Sequence, residues 1–220
     1  CYVEIPRKNG KSNLSAAIAL YMLFADGEPG AEVISAAGDR GQANIVFNIA
    51  QEMINNSRHL RSRSRVLRNV VSYKSSWYKS ISAEAYTKHG LNCHAVIFDE
   101  LHTQPNRDLW DVLTTSTGAR RQPLVMALTT AGHDRASICY EVHEYAKGVR
   151  DGVIDDDTFL PVLYAADIDD DWTDEATWRK ANPGFGSICH KDYFEQAVKN
   201  AKANPSMVNS FLRLHLNIWT

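Results

Sequence analysis

The first candidate for chemistry is Gly10-Lys11-Ser12, which follows the strand-like run "CYVEI" and precedes a helical pattern. Backbone N–H groups and a helix N-terminus favour phosphate at such a place, where Lys11 can reach outer phosphates and Ser12 can hold Mg²⁺. The usual phosphate-binding loop reads G-x-x-x-x-G-K-[ST], and here Ile5 stands in place of the first glycine. The residues alone leave two interpretations, a polar turn or a deviant phosphate loop.

The second candidate is the acidic pair Asp99-Glu100, which ends the apolar run "AVIF". In phosphate-loop ATPases one carboxylate at a strand end binds Mg²⁺ and the next polarises the attacking water. The next strand ends in "ALTTAG", where Thr129 or Thr130 could hydrogen-bond the γ-phosphate and transmit its loss. The alternatives are two solvated acids and a plain strand end.

Elements that could position these groups alternate along the chain. Strands are predicted at 31–38 and 122–132, around "AVIFD", and as a pair of short strands or a hairpin over 70–85. Helices are predicted at Ser12–Phe24, Gln42–Ile54, Asp108–Thr115 and Ala136–Val149. Near-continuous apolar strands indicate an α/β fold with a mostly parallel sheet covered by helices. We expect 31–38 or 70–82 to supply an extra strand between the loop strand and the carboxylate strand.

After residue 150 the pattern changes to acidic loops and helices. Helical stretches are predicted from Thr173 to the Asn-Pro-Gly at 182–184, over Lys191–Ala203 and over Pro205–Leu216. We therefore expect an ATPase-like core over 1–150, and over 151–220 the end of that core with a small helical lid or linker subdomain. Three tryptophans, Trp172, Trp178 and Trp219, are expected to anchor the carboxyl-terminal helices.

Composition limits the possible partners. The formal net charge of -2 gives no global attraction to nucleic acid, so DNA binding would need a local patch. Such a patch could be Arg58, Arg61, Arg65 and Arg68, which share one face if 58–68 is helical; a merely solvated face is the alternative. The four cysteines lack a C-x-x-C pair and are expected to be thiols. No apolar stretch approaches the ~20 residues of a membrane span.

Together, "PRKNGKS", "FDELH", "RRQPLVMALTTAG", "WRKANPGFG" and "LHLNIW" resemble the ATPase domain of a phage terminase large subunit. The resemblance implies a P-loop NTPase fold of the ASCE/RecA-like type that hydrolyses ATP with Mg²⁺. It also accounts for the missing glycine, because such motors carry an arginine at the position of Arg7, which would act as a catalytic finger in cis. Glu100 would activate water, and Ser12 and Asp99 would hold the metal. The nucleotide would lie against Arg7, Lys8, Asn9, Gly10, Lys11, Ser12, Thr129 and Thr130.

The same resemblance implies partners and a location. A terminase motor packages double-stranded DNA into a procapsid, works with a portal protein and a small terminase subunit, and forms a ring in the cytoplasm of the infected host cell, outside the mature virion and away from membranes. A neighbouring subunit could supply a further arginine, for which Arg40, Arg120 and Arg121 are candidates. We expect the chain to be a piece lacking the adenine-binding segment and the nuclease domain, without nuclease activity.

Two other functions fit parts of the sequence. "DELH" matches the D-E-x-H box of a superfamily-2 helicase, although nothing after residue 150 repeats the strand-helix alternation of a second RecA-like domain. A nucleotide-gated assembly module without hydrolysis is the third interpretation, which the intact Lys11, Ser12, Asp99 and Glu100 disfavour. We expect His102 to be a packed or solvent-facing side chain.

Overall fold

A computed structural model of the chain describes residues 1–83 and 90–220. The last residues of the predicted 70–85 hairpin segment lie outside this description. The described strands are β1 (Tyr2–Glu4), β2 (Glu32–Ala37), β3 (Arg65–Val66), β4 (Val71–Tyr73), β5 (Ser76–Ser82), β6 (Ala95–Asp99), β7 (Leu124–Thr129) and β8 (Pro161–Leu163). The described α-helices are α1 (Lys11–Phe24), α2 (Arg40–Asn56), α3 (Arg58–Arg61), α4 (Asp108–Thr115), α5 (Ile138–Arg150), α6 (Glu175–Ala181), α7 (Lys191–Ala203) and α8 (Val208–Leu216). Single 3₁₀ turns cover Leu101–Thr103 and Pro205–Met207.

The strands form one sheet in the order β3-β4-β5-β2-β6-β7-β1-β8. Strand β2 pairs in parallel with β5 and β6, and β1 pairs in parallel with β8. The β3-β4 and β4-β5 pairs are antiparallel, which confirms the predicted hairpin. The predicted α/β fold with a mostly parallel sheet is confirmed. The extra strand between the loop strand and the carboxylate strand is β7, so the assignment of that place to 31–38 or 70–82 was wrong.

The strand-helix boundaries follow local chemistry. All five residues of β6 are buried, as a strand covered on both faces requires. Helix α2 begins two residues earlier than predicted because the Asp39 carboxylate accepts a hydrogen bond from the Gln42 N–H. Helix α8 begins at Val208, since a 3₁₀ turn precedes it.

The condition for a shared arginine face, a helix over 58–68, is not met. Helix α3 ends at Arg61, and Arg65 belongs to β3, where it pairs with Ser72. The Ser64 hydroxyl donates to the Leu60 carbonyl at 2.9 Å, a side-chain bond that competes with helix continuation. The four arginines of the expected patch are all exposed, but they do not share one helix face.

The described residues form two compact units. One comprises Cys1–Lys11 with Leu128–Thr220, and the other Ser12–Ala127. Helices α6, α7 and α8 of the first unit share a core that includes Trp178, Phe194 and Phe211. Trp178 is 4% exposed and Trp172 packs against this core, as expected for anchors. The predicted functional division at residue 150 stays a prediction.

Two further predictions from the sequence are that the cysteines are thiols and that no stretch is long enough to span a membrane. All four cysteines are free thiols. Among residues 1–83 and 90–220, no helix is long and apolar enough to cross a membrane.

Candidate nucleotide-binding site

The loop between β1 and α1 has the backbone of an anion-binding turn. Lys8 and Gly10 have positive φ angles of 68° and 80°, so successive peptide groups turn sharply before the helix. Helix α1 begins at Lys11, and the first N–H groups of any helix have no acceptor within it. Together with the dipole of the helix, this geometry suits a phosphate group.

Lys11 lies at the base of this loop. Its side chain is largely buried, with 5% of the residue exposed. The ammonium Nζ donates to the Ile5 carbonyl at 3.0 Å, to the Pro6 carbonyl at 3.2 Å and to the Thr130 hydroxyl at 2.9 Å. The structure therefore brings together the lysine of the loop and Thr130, the residue directly after β7.

The two threonines point in different directions. Thr130 accepts the hydrogen bond from Lys11, whereas the Thr129 hydroxyl donates to the Thr130 carbonyl at 3.1 Å and lies 3.6 Å from the Cys139 thiol. Both residues are fully buried. The Thr130 hydroxyl therefore lies against the phosphate-loop lysine.

The acidic pair lies in the second unit, where β6 ends. Asp99 is 2% exposed. Glu100 has left-handed backbone angles, φ 51° and ψ 57°, and its carboxylate is 3.2 Å from Nδ1 of His102. The Glu100 carbonyl accepts hydrogen bonds from the backbone N–H and the hydroxyl of Thr103. The left-handed backbone of Glu100 interrupts the strand geometry, so the chain turns directly after Asp99.

Neighbouring strands support this turn. A Cβ on Gly38, just after β2, would lie 2.5 Å from the Thr103 carbonyl oxygen, so only glycine lets the two segments approach this closely. Tyr78 on β5 donates to the Ser35 hydroxyl at 3.0 Å. Burial raises the pKa of Tyr78 far above its usual value, and the negative charge of Asp99 raises it further.

The side-chain oxygens available at the site suit magnesium. Ser12 is half-buried in the first turn of α1, and Asp99 ends β6. Hydroxyl and carboxylate oxygens are hard donors of the kind that Mg²⁺ binds together with water and phosphate oxygens. The donor set therefore fits the metal that the sequence implied.

Arg7 is exposed, and its positive charge acts on Tyr193 of α7 and on His215 of α8. Burial lowers the pKa of His215 to about 4, and the positive charge of Arg7 lowers it further. Burial also raises the pKa of Tyr193, an effect that the charge of Arg7 opposes. The expected catalytic role of Arg7 stays a prediction.

Among the candidates for an arginine donated to a neighbouring subunit, Arg120 is committed elsewhere. Its side chain is only 8% exposed and pairs with Glu28 at 2.9 Å. It also donates to the carbonyls of Asn92 and Gly30, both at 2.8 Å. This structural role argues against Arg120 as the donated group, while Arg40 and Arg121 are exposed.

Two asparagines that we did not predict as site residues hold the loops in place. Asn182 contacts Asn9 of the phosphate loop, with 2.8 Å between the amide nitrogen of Asn9 and Oδ1 of Asn182. Asn217 accepts a hydrogen bond at 2.7 Å from the backbone N–H of Ala131, which follows the β7 threonines. Asn182 lies in the motif "WRKANPGFG" and Asn217 in "LHLNIW", and membership of these motifs was the signal that could have identified them. The spacing of residues along the chain did not indicate their hydrogen bonds.

The mostly parallel sheet, the loop between β1 and α1 and the acidic end of β6 define a P-loop NTPase. Comparison with known proteins gives the family. Residues 1–148 match the family model "Terminase large subunit, ATPase domain", and residues 153–220 match "Terminase large subunit, endonuclease domain". The chain therefore belongs to the terminase large-subunit family, and the helicase alternative is not favoured.

Individual relatives agree. The chain is 31% identical over 224 residues to the terminase large subunit of Enterobacteria phage HK97, covering 98% of this chain and 43% of the relative. The crystal structure of the HK97 bacteriophage large terminase superposes with a TM-score of 0.89 at 29% identity, covering 99% of this chain and 46% of that one. The chain thus spans less than half the length of these relatives.

A more distant likeness concerns the fold alone. A large terminase from a thermophilic bacteriophage, solved in complex with ADP, has a TM-score of 0.50 at 11% identity and covers 65% of this chain and 37% of that one. The match of 153–220 to an endonuclease-domain model leaves the expectation that the chain contains no nuclease sequence unconfirmed.

Proposed function

We propose that this chain hydrolyses ATP with Mg²⁺ and is the motor part of a terminase that moves double-stranded DNA into a procapsid. The family membership supports the ATPase class. The ADP complex of the structurally similar terminase from a thermophilic bacteriophage supports a nucleotide as the ligand. Coupling to DNA movement rests on the family and is our proposal for this chain.

The observation that carries the proposal is the position of the Lys11 ammonium. It lies at the base of the loop, 2.9 Å from the Thr130 hydroxyl. Two carbonyls and this hydroxyl accept hydrogen bonds from the buried Lys11 ammonium and hold it in place. The positive charge is therefore already positioned for a phosphate of opposite charge. When the phosphate enters, Lys11 exchanges carbonyl partners for phosphate oxygens, and Thr130 stays within reach of the same ammonium.

Catalysis then falls to the acidic pair and to Arg7. Glu100 accepts a proton from, or orients, the water that attacks the γ-phosphate, and its left-handed backbone ends the strand geometry of β6. Nδ1 of His102, 3.2 Å from this carboxylate, helps to hold it in one orientation. Arg7 supplies a positive charge to the transferred phosphoryl group.

Ser12 and Asp99 would hold the magnesium ion. When bound, the ion neutralises charge that develops on the phosphate oxygens. The burial of Asp99 at 2% exposure keeps this carboxylate in a low-dielectric place, where its attraction to a cation is stronger than in water.

DNA, a portal protein, a small terminase subunit and a ring of identical subunits in the host cytoplasm are the partners and setting that we infer. Arg58, Arg61, Arg65 and Arg68 remain the proposed DNA-contacting group, now as exposed side chains of α3, β3 and the loops beside them. Such a group can grip phosphates without reading base sequence.

We assign no DNA cleavage to residues 153–220. Strand β8 pairs with β1, the strand that leads into the phosphate loop, so this segment contributes to the ATPase sheet. Its acidic residues Asp167 and Asp170 both bind the Lys180 ammonium at 2.6 Å. These ion pairs support a structural use of the acids.

The test is ATP turnover by the whole protein, with and without double-stranded DNA. Lys11→Ala should abolish binding of an ADP analogue, whereas Glu100→Gln should keep binding and lower turnover by about 10²-fold or more. The matched control is Glu141→Gln on α5, an acid outside the loop and the acidic pair. Normal turnover in Glu100→Gln would refute the assigned carboxylate, and nucleotide binding by Lys11→Ala equal to wild type would refute the site.

DNA binding has a separate test. Replacing Arg61 and Arg65 by alanine should reduce the slope of log affinity against log salt by up to about 2, since each phosphate contact contributes roughly 0.9. Arg150→Ala, which removes an exposed arginine of α5, is the control. An unchanged slope would remove this group from the DNA-contacting surface.

A further inference from the structure

Three successive residues of the phosphate loop contact the segment that carries α6, α7 and α8, here called the helical module (residues 175–217). The Arg7 backbone N–H donates to the Leu214 carbonyl at 3.0 Å. The Lys8 carbonyl accepts from the Cys189 thiol at 3.1 Å. The third contact is made by the side chain of Asn9. The loop is therefore supported from outside its own strand and helix.

The Asn9 amide uses both of its ends. Its nitrogen Nδ2 donates to Oδ1 of Asn182 at 2.8 Å and to the carbonyls of Pro6 and Arg7, both at 3.2 Å. Its oxygen Oδ1 accepts from the Gly184 N–H at 2.9 Å. Two of these hydrogen bonds lie within the loop, and the other two join the loop to residues 182–184. Because one amide makes all four, displacement of residues 182–184 disturbs the hydrogen bonds within the loop.

Asn182 in turn connects two helices of the module. It is 1% exposed and caps the end of α6. Its nitrogen Nδ2 donates to the Trp178 carbonyl and to the His215 carbonyl, both at 2.9 Å. One side chain thus links α6, α8 and the phosphate loop, with each of its polar ends occupied.

The approach of residue 184 to the loop is close. A Cβ on Gly184 would lie 3.0 Å from Oδ1 of Asn9 and 3.2 Å from Cβ of Ile188. A side chain there would push against the Asn9 amide. This spacing makes the Asn9 contact sensitive to small movements of the module.

We propose that Asn182 is a positioning residue for nucleotide binding, which acts through Asn9 to hold the phosphate loop in its binding shape. The loop has Ile5 where the usual pattern has its first glycine. The hydrogen bond to Asn182 therefore stabilises a loop conformation that the loop sequence alone does not fix. Because Asn182 also bonds to α6 and α8, movement of those helices changes the loop, and occupation of the loop changes their packing. This inference rests on the proposed nucleotide site.

The test is a double-mutant cycle on the affinity of the whole protein for a fluorescent ADP analogue. Asn182→Ala and Asn9→Ala should each weaken binding by about tenfold, the effect of losing one well-placed hydrogen bond. The double variant should bind no more weakly than the weaker single variant, because both remove the same contact. Asn200→Ala, at an exposed position of α7, is the matched control and should bind as wild type does.

Two results would overturn the proposal. Additive losses in the double variant would mean that Asn182 and Asn9 act independently. Lower stability of Asn182→Ala with unchanged ADP affinity would make Asn182 a helix cap alone. If Asn182→Ala does not fold, Gly184→Ala keeps both asparagines and crowds Oδ1 of Asn9, so it should weaken binding; unchanged affinity refutes the proposal.

The same experiment separates this inference from the proposed function. Gly118→Ala, where a Cβ would meet the Thr115 carbonyl at an ordinary 3.8 Å, controls for the glycine substitution. A wild-type protein that fails to bind the analogue refutes the proposed function and with it this inference. Wild-type binding that is lost in Lys11→Ala but intact in the Asn182, Asn9 and Gly184 variants refutes this inference alone.

Discussion

Asn217 offers a prediction whose size can be worked out from its contacts. It is 2% exposed and follows α8 in a left-handed conformation, with φ 61° and ψ 31°. Its Oδ1 accepts from the Ala131 N–H at 2.7 Å, and its Nδ2 donates to the Tyr164 carbonyl at 2.8 Å. Its Nδ2 also makes a long hydrogen bond of 3.5 Å to the Glu4 carboxylate. The residue therefore provides both an unusual backbone shape and two short hydrogen bonds.

Replacement by glycine keeps the backbone shape and removes both short bonds together with the long one to Glu4. A buried N–H without a partner costs about 1–3 kcal/mol, and the loss of the second bond about 1 kcal/mol, so Asn217→Gly should lower the free energy of unfolding by about 2–4 kcal/mol. Asn217→Ala should cost about 1 kcal/mol more, because a Cβ disfavours positive φ.

The assay is urea denaturation followed by tryptophan fluorescence, with the m-value compared among variants. Asn204→Ala, at an exposed position after α7, is the control and should change stability by less than about 0.5 kcal/mol. If the glycine variant is as stable as wild type, the Ala131 contact contributes nothing measurable. If the alanine variant is more stable than the glycine variant, the left-handed conformation is not the reason for asparagine here.

Three further predictions use the same stability measurement. Glu100→Gly should be more stable than Glu100→Ala by up to about 1 kcal/mol, because residue 100 is left-handed, and a reversed order would contradict a strained turn. His215, with a folded pKa of about 4 against 6.5 when unfolded, should contribute stability that is complete above pH 6.5 and falls by up to roughly 3 kcal/mol as pH drops toward 4. His215→Gln should flatten that part of the profile in acid titrations, and a profile like that of wild type would contradict the burial assigned to the neutral ring. Arg120→Ala should cost about 3 kcal/mol through the unpaired Glu28 and lost bonds, while the exposed Arg121→Ala should cost less than about 0.5; equal effects would contradict the structural role.

Tertiary contacts decided two points that the spacing of residues left open. The spacing of Arg58, Arg61 and Arg65 would place them on one face only if the segment were helical, and antiparallel pairing of Arg65 with Ser72 decided against that conformation. The sequence did not rank Arg120 against Arg40 and Arg121, whereas the structure shows Arg120 paired with Glu28, which is far away along the chain. Periodicity reports local preference, and partners distant in sequence override it.

The sequence by itself determined the class of fold, the phosphate loop and the acidic strand end. Those features are local: an apolar run buries a strand, a glycine permits the turn at Gly10, and carboxylates follow directly on β6. Only the tertiary structure placed the Thr130 hydroxyl against Lys11 and made Asn182 and Asn217 hold the loops. These choices depend on which side chains folding brings within about 3 Å, and hydrogen bonds at that range are not encoded in the spacing of residues along the chain.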